Sequence, residues 1–185
     1  MRLNTNREAA PDMPLWPWSK PKQKPEDAVR DLRELALTRA AADLGLSPGP
    51  ESPNVFGILM ETAYPEAVAS LVVFAEGSTS LYFSNGGGII GAGEHASVRA
   101  TLGAFFAETE AHLSAFTPAE STPLPAPGRV RFYLRTFKGT LTAEADEQAL
   151  GNMQHELSPV FHRGHAVISA VLEATDGMSP EPGAH

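Results

Sequence analysis

Nine consecutive residues, Ala67 to Ala75, read AVASLVVFA, and only Ser70 among them is polar. A strand with one face in water alternates apolar and polar side chains, whereas this run is apolar on both alternating faces and suits a central strand covered on each side. The chain must therefore supply helices above and below a sheet. With 185 residues, 42% of them apolar, it is long enough for one such domain with an ordinary core.

Two further strands flank this one. Val55 to Thr62 is apolar and β-prone, Tyr64, Pro65 and Glu66 make a turn, and after Glu76 and Gly77 a third strand runs from Thr79 to Ser84. Farther on, Arg129 to Phe137 alternates Val130, Phe132 and Leu134 against Arg129, Arg131 and Arg135. Lys138 and Gly139 turn, and Thr140 to Ala145 returns. Three helices complete the set. The first opens at Pro25 with Glu26 and Asp27 near its positive end, continues through Val29, Leu32, Ala36, Leu37, Ala40 and Leu44, and stops at Gly45. A second carries Val98, Leu102, Phe105, Phe106, Leu113 and Phe116 on one face. A third starts with Ser158 as cap and Pro159 at its first position, and buries Val160, Phe161, Val167, Ile168, Val171 and Leu172.

Short turns between successive strands force antiparallel pairing, since parallel neighbours need crossovers of a dozen or more residues. The expectation is an α+β domain over residues 25–175: a five-stranded, mostly antiparallel sheet with helices on both faces, in the order αβββαββα. In layout this resembles the roadblock or profilin-like class of small α/β/α domains, although those usually place two strands before the middle helix and three after. The likeness is one of architecture.

Outside that domain, residues 1–24 hold Pro11, Pro14, Pro17 and Pro21, the stretch Pro14-Leu-Trp-Pro-Trp18, and Lys20, Lys22 and Lys24. This composition predicts a flexible or polyproline-like arm. It contains both tryptophans of the protein, which suit packing on the chain itself, on a partner or at a membrane surface. Met13 is a second candidate start. Residues 176–185 are expected to form a disordered tail. Five basic against two acidic residues leave the arm at +3, and the other 161 residues, with nine basic and twenty acidic, carry −11. So acidic a body repels nucleic acid and anionic membrane. No apolar run reaches the length of a membrane span, and the first sixteen residues lack the apolar core of a secretion signal, which predicts a cytoplasmic protein. Without cysteine there is no disulfide, thiolate metal site or thiol nucleophile.

The least ordinary segment is Gly86 to His95, GGGIIGAGEH, half of it glycine. Gly86, Gly88 and Gly91 satisfy the spacing of a dinucleotide-binding fingerprint, yet that motif needs a parallel βαβ unit and an acid about 20 residues on at a strand end. Here Glu108 and Glu110 fall inside a helix, so no nicotinamide or flavin cofactor is expected. Three readings remain: a hairpin turned by Asn85-Gly86 in type I′ geometry with Gly88 to Ile90 returning, a partner chain packed against the bare backbone of Gly86, Gly87, Gly88, Gly91 and Gly93, or an anion held by free N–H groups at the start of the next helix.

Arg129, Arg131 and Arg135 share one strand face and form the only basic cluster outside the arm. They suit an acidic ligand or partner, or internal pairing with the surplus of Asp and Glu. His162 and His165 stand three apart on the last helix, preceded by His155 and Glu156, but their wheel positions diverge and no metal is expected. His95 beside Glu94 reads as a helix cap rather than an acid–base pair. Glu61 interrupts GILMETA either as a buried carboxylate or as a strand end facing water. GxSxG is absent. With no convergent acid, base and nucleophile, the chain reads as a non-enzymatic module that docks a protein partner or a second copy of itself through its sheet edge and glycine segment. The alternative is a sensory domain holding a small anion or nucleotide between the glycine turn and the arginine strand.

Overall fold

The computed structural model describes residues 24–49 and 54–176. Apart from Lys24 and Asp176, the expected arm and tail lie outside the described residues. The elements run α1 (Pro25–Thr38), β1 (Val55–Ala63), β2 (Val68–Phe74), β3 (Thr79–Phe83), β4 (Gly88–Ile90), α2 (Ala96–Ala111), β5 (Thr117–Pro118), β6 (Arg129–Thr136), β7 (Gly139–Asp146), α3 (Glu147–Gly151) and α4 (Ser158–Asp176). The sheet has seven strands rather than five, in the order β4-β3-β2-β1-β6-β7-β5, with every pair antiparallel. Both additions are short edge strands. β1, buried along its whole length, and β2 lie within the sheet, as doubly apolar runs should.

Period-two alternation splits the strand side chains between two cores. Ile58, Met60, Leu71, Val73, Leu81, Val130, Phe132 and Leu134 meet Val98, Leu102 and Phe105 of α2 and Val160, Val167 and Val171 of α4. On the opposite face Phe56, Leu59, Val72, Phe74, Tyr82 and Tyr133 meet Val29, Ala36 and Leu37 of α1. The helices are shorter than their apolar periodicity suggests. α1 ends at Thr38 because Arg39 and Ala40 are extended; a 3₁₀ turn over Ala41–Leu44 follows, and Gly45 closes it at φ 70°. The middle helix likewise gives way at His112 to a 3₁₀ turn before Phe116. Ser158 does not cap α4 as expected: its hydroxyl accepts from the His155 N–H at 3.3 Å and donates to the Ala149 carbonyl at 3.4 Å, tying α4 to α3.

Candidate functional site: a groove beside the glycine segment

The glycine segment is a hairpin, but not of the type I′ form. Ser84 and Asn85 keep negative φ, the Gly86 N–H donates to the Phe83 carbonyl at 2.9 Å, and the positive φ begins at Gly86, at 101°. This is a type I turn followed by a glycine bulge, and it delivers Gly88–Ile90 to the edge of the sheet as β4. Three of the glycines are required by the chain's own packing. A Cβ on Gly86 would sit 2.7 Å from Pro25, one on Gly88 would strike the Leu81 carbonyl at 2.5 Å, and one on Gly93 would overlap the Gly77 carbonyl. Gly87 and Gly91 face open space.

α1 packs on β1, β2 and β6 and on Tyr82 of β3, and its first residue, Pro25, touches the β3–β4 hairpin at Gly86; beyond that contact a groove of about 400 Å³ lies between α1 and β4. One wall is Leu32, Leu35 and Ala36 of α1 with Arg39 just past its end; the floor is Val72, Phe74 and Tyr82; the far wall is Ile90, Gly91, Gly93 and Glu94, with Arg99 and Glu76 at the ends. Ile90 shares the α1 side of the sheet with its cross-strand neighbour Ser80, and it is 67% exposed. Leu35, across the groove, is 53% exposed. Thus two large aliphatic side chains stand in water on opposite rims of an apolar trough. Arg99, exposed at the rim, donates its Nε–H to the Gly93 carbonyl. His95 occupies the N-cap of α2, although its ring makes no capping bond.

Arg129, Arg131 and Arg135 do share a face, the α1 face, and are engaged by the chain itself. Arg131 pairs with Glu144 directly across on β7, and Arg129, which stands opposite Asp146, reaches the same carboxylate diagonally. Arg135 donates to the Arg39 carbonyl at 3.0 Å and lies over the Phe56 ring, where burial lowers its pKa. β6 is four strand spacings from β4, about 19 Å at the usual interval, so one small ligand does not bridge the glycine turn and these arginines. Glu110, near the position where a dinucleotide fingerprint would place its ribose acid, instead accepts from the Val55 N–H at 2.6 Å and from Asn54 at 3.0 Å.

Sequence reasoning left Glu61 open, and it is fully buried. Arg33 of α1 grips both its oxygens, Nε to Oε1 at 2.7 Å and Nη2 to Oε2 at 2.8 Å, and Ser70 donates to Oε1 at 3.1 Å. Burial by itself would lower the Arg33 pKa; the hydrogen bonds and charge of Glu61 more than reverse this and raise it. Arg33 also donates to the Thr122 carbonyl at 3.0 Å, and Tyr133 donates to that of Pro123 at 2.6 Å. Strand register places Tyr82, Ser70, Glu61, Arg131 and Glu144 side by side across five strands. In this row the Tyr82 hydroxyl is buried without a partner, and desolvation together with Glu61 pushes its pKa well above the ordinary tyrosine value. A carboxylate saturated by its own chain and sealed from water has no catalytic access, so the cluster clamps α1 and the proline-rich loop to the sheet.

A second cavity, about 590 Å³, lies at the β6–β7 turn, with Pro48, Gly49, Asn54 and Phe137 among its lining residues. The imidazoles of α4 do not converge. His162 is exposed, while His165 packs on Phe161 with its Nε2 buried and unpartnered. Among the described residues no three His, Asp or Glu side chains gather as metal ligands, and no helix is long and apolar enough to cross a membrane. Compared with known families, curated proteins and solved structures, the chain matches none. Nothing in these comparisons bears out the roadblock or profilin-like layout, and four strands precede α2 where that class usually has two.

Proposed function

We propose that the protein is a non-enzymatic interaction module that docks a protein segment along the groove between α1 and the β3–β4 edge. The observation that carries this reading is the pair Leu35 and Ile90, aliphatic side chains exposed on facing rims of an apolar trough next to an edge strand. The two sheet edges differ in a way that supports it. β5 is two residues long and ends in Pro118, which offers no N–H and resists pairing, whereas β4 presents a proline-free outer edge beside the trough.

Native mass spectrometry of protein purified gently from its own host tests the reading. A protein partner or defined homo-oligomer that is lost in Ile90→Asp would support it. A monomer without any associated chain, at every concentration and in every fraction, would remove it. A retained small anion of fixed stoichiometry would return attention to the ligand-binding alternative.

A further inference from the structure

We propose that the chain carries its own occupant for this groove: the stretch Pro14 to Trp18 folds back and covers the trough in cis, as a pseudo-ligand that a partner must displace. The inference rests on the groove being the docking surface. It begins from where the described chain starts. Pro25, the first residue of α1, is packed against Gly86 at the tip of the β3–β4 hairpin. From there α1 crosses the sheet, with Arg33 bound to Glu61 of β1 and the Arg39 carbonyl to Arg135 of β6, and its Leu32, Leu35 and Ala36 line the groove. Ten helical residues separate Pro25 from Leu35, a distance of about 15 Å at 1.5 Å per residue.

The arm has the length to make that return. Seven residues separate Trp18 from Pro25 and nine separate Trp16 from it. At about 3.1 Å per residue in a polyproline-like chain these spans are roughly 22 and 28 Å, so either indole reaches the trough with slack for the reversal at Lys24. So short a tether holds the arm at an effective concentration on the order of millimolar, which favours the chain's own arm over that of a second copy.

The chemistry of the two surfaces matches. Leu35 and Ile90 expose aliphatic rims of the kind that an indole covers, and Arg39 and Arg99, of the residue type that stacks on an indole, are among the lining residues. Glu76 and Glu94 at the groove are balanced by Arg39 and Arg99 in the same lining, so the match to the arm is apolar rather than electrostatic. A proline-rich segment is also pre-extended, so its docking costs less chain entropy than that of an ordinary peptide.

Because both tryptophans lie in this stretch, intrinsic tryptophan emission of the full chain reports on the arm alone. The expected result is blue-shifted emission that resists acrylamide quenching at all protein concentrations. In the double variant Leu35→Asp, Ile90→Asp, the emission should move to that of free tryptophan and the quenching constant should rise several-fold, while the melting temperature, read by circular dichroism, stays put. Tryptophans fully quenchable in the parent protein, or protected equally in parent and variant, would overturn the inference. Protection that grows with concentration would also overturn it, in favour of a second copy. Failure of the arm inference is distinguishable from failure of the groove reading, because a partner seen by native mass spectrometry and lost in Ile90→Asp survives an exposed arm.

Discussion

The two faces of the sheet are held by different physics. Against α2 and α4 the sheet presents Ile58, Met60, Leu71, Val73, Leu81, Val130, Phe132 and Leu134, an apolar layer whose attraction is non-directional. Against α1 it presents apolar residues divided by a polar row running from Tyr82 through Ser70 and Glu61 to Arg131 and Glu144. Apolar burial holds a helix down but leaves its register loosely specified; the bidentate Arg33–Glu61 pair fixes both the position of α1 and the path of the 119–126 loop. The covered face gives bulk stability, and the clamped face sets how wide the groove beside α1 stands open.

The largest effect that separates the two faces should come from Arg33→Met. It strands a fully buried carboxylate and is expected to cost about 3–5 kcal/mol in chemical denaturation, the usual loss when one member of a buried pair is removed. The double variant Arg33→Met, Glu61→Leu should recover most of that loss, because the cost lies in the unpaired charge. If the double variant is as unstable as the single one, the clamp is not what holds α1. On the other face Leu134→Ala, at a site with no exposure, should cost about 3 kcal/mol through lost burial and the cavity left behind, with no partner substitution able to restore it. A measured coupling between Leu134→Ala and Arg33→Met above roughly 0.5 kcal/mol would show that the two cores are not independent.

A pH effect comes next, and it belongs to the apolar face. His165 has its pKa lowered, first by burial and then by neighbouring His162, and its Nε2 is buried without a partner. The unfolded chain then binds the proton more readily than the folded one, so stability is complete above the ordinary histidine value near 6.5 and falls as pH drops through it. In His165→Leu this acid-side loss should shrink, measured as the difference in denaturation midpoint between pH 7.5 and pH 5.5. Equal slopes for parent and variant would assign the acid sensitivity elsewhere.

The doubly apolar run 67–75 announced a sheet covered on both sides, and the apolar positions of three helices and five strands were legible because each follows from local periodicity. Less was visible wherever an outcome depended on residues far apart in sequence. β5 spans two residues and α3 five, too few for a pattern to emerge, although Gly88 to Ile90 reads as a returning strand if a hairpin turns at Asn85-Gly86. The fate of Glu61 was set by Arg33, 28 residues away on another element, and a lone carboxylate in an apolar strand gave the one hint of it. Part of the glycine pattern proved to be self-contact, since Gly86, Gly88 and Gly93 admit Pro25, β3 and Gly77. The exposure of Leu35 and Ile90 was not legible, because it depends on where α1 ends its lateral coverage of the sheet.

The smallest effect on stability is the one that bears most directly on the groove. Leu35 and Ile90 are already largely in water, so Leu35→Asp and Ile90→Asp should each change folding free energy by no more than about 0.5 kcal/mol, the range of ordinary surface substitutions. Their effect on association should be far larger, since a carboxylate placed on the apolar rim must be desolvated whenever any segment lies down on it. The relation between the two readouts is therefore decisive. Arg33→Met should weaken docking only as far as it loosens α1, in proportion to lost stability, whereas the rim variants should abolish docking in a protein that melts normally. If Ile90→Asp binds as the parent does, β4 and its groove are not the working surface, however well the clamp beneath α1 holds them in place.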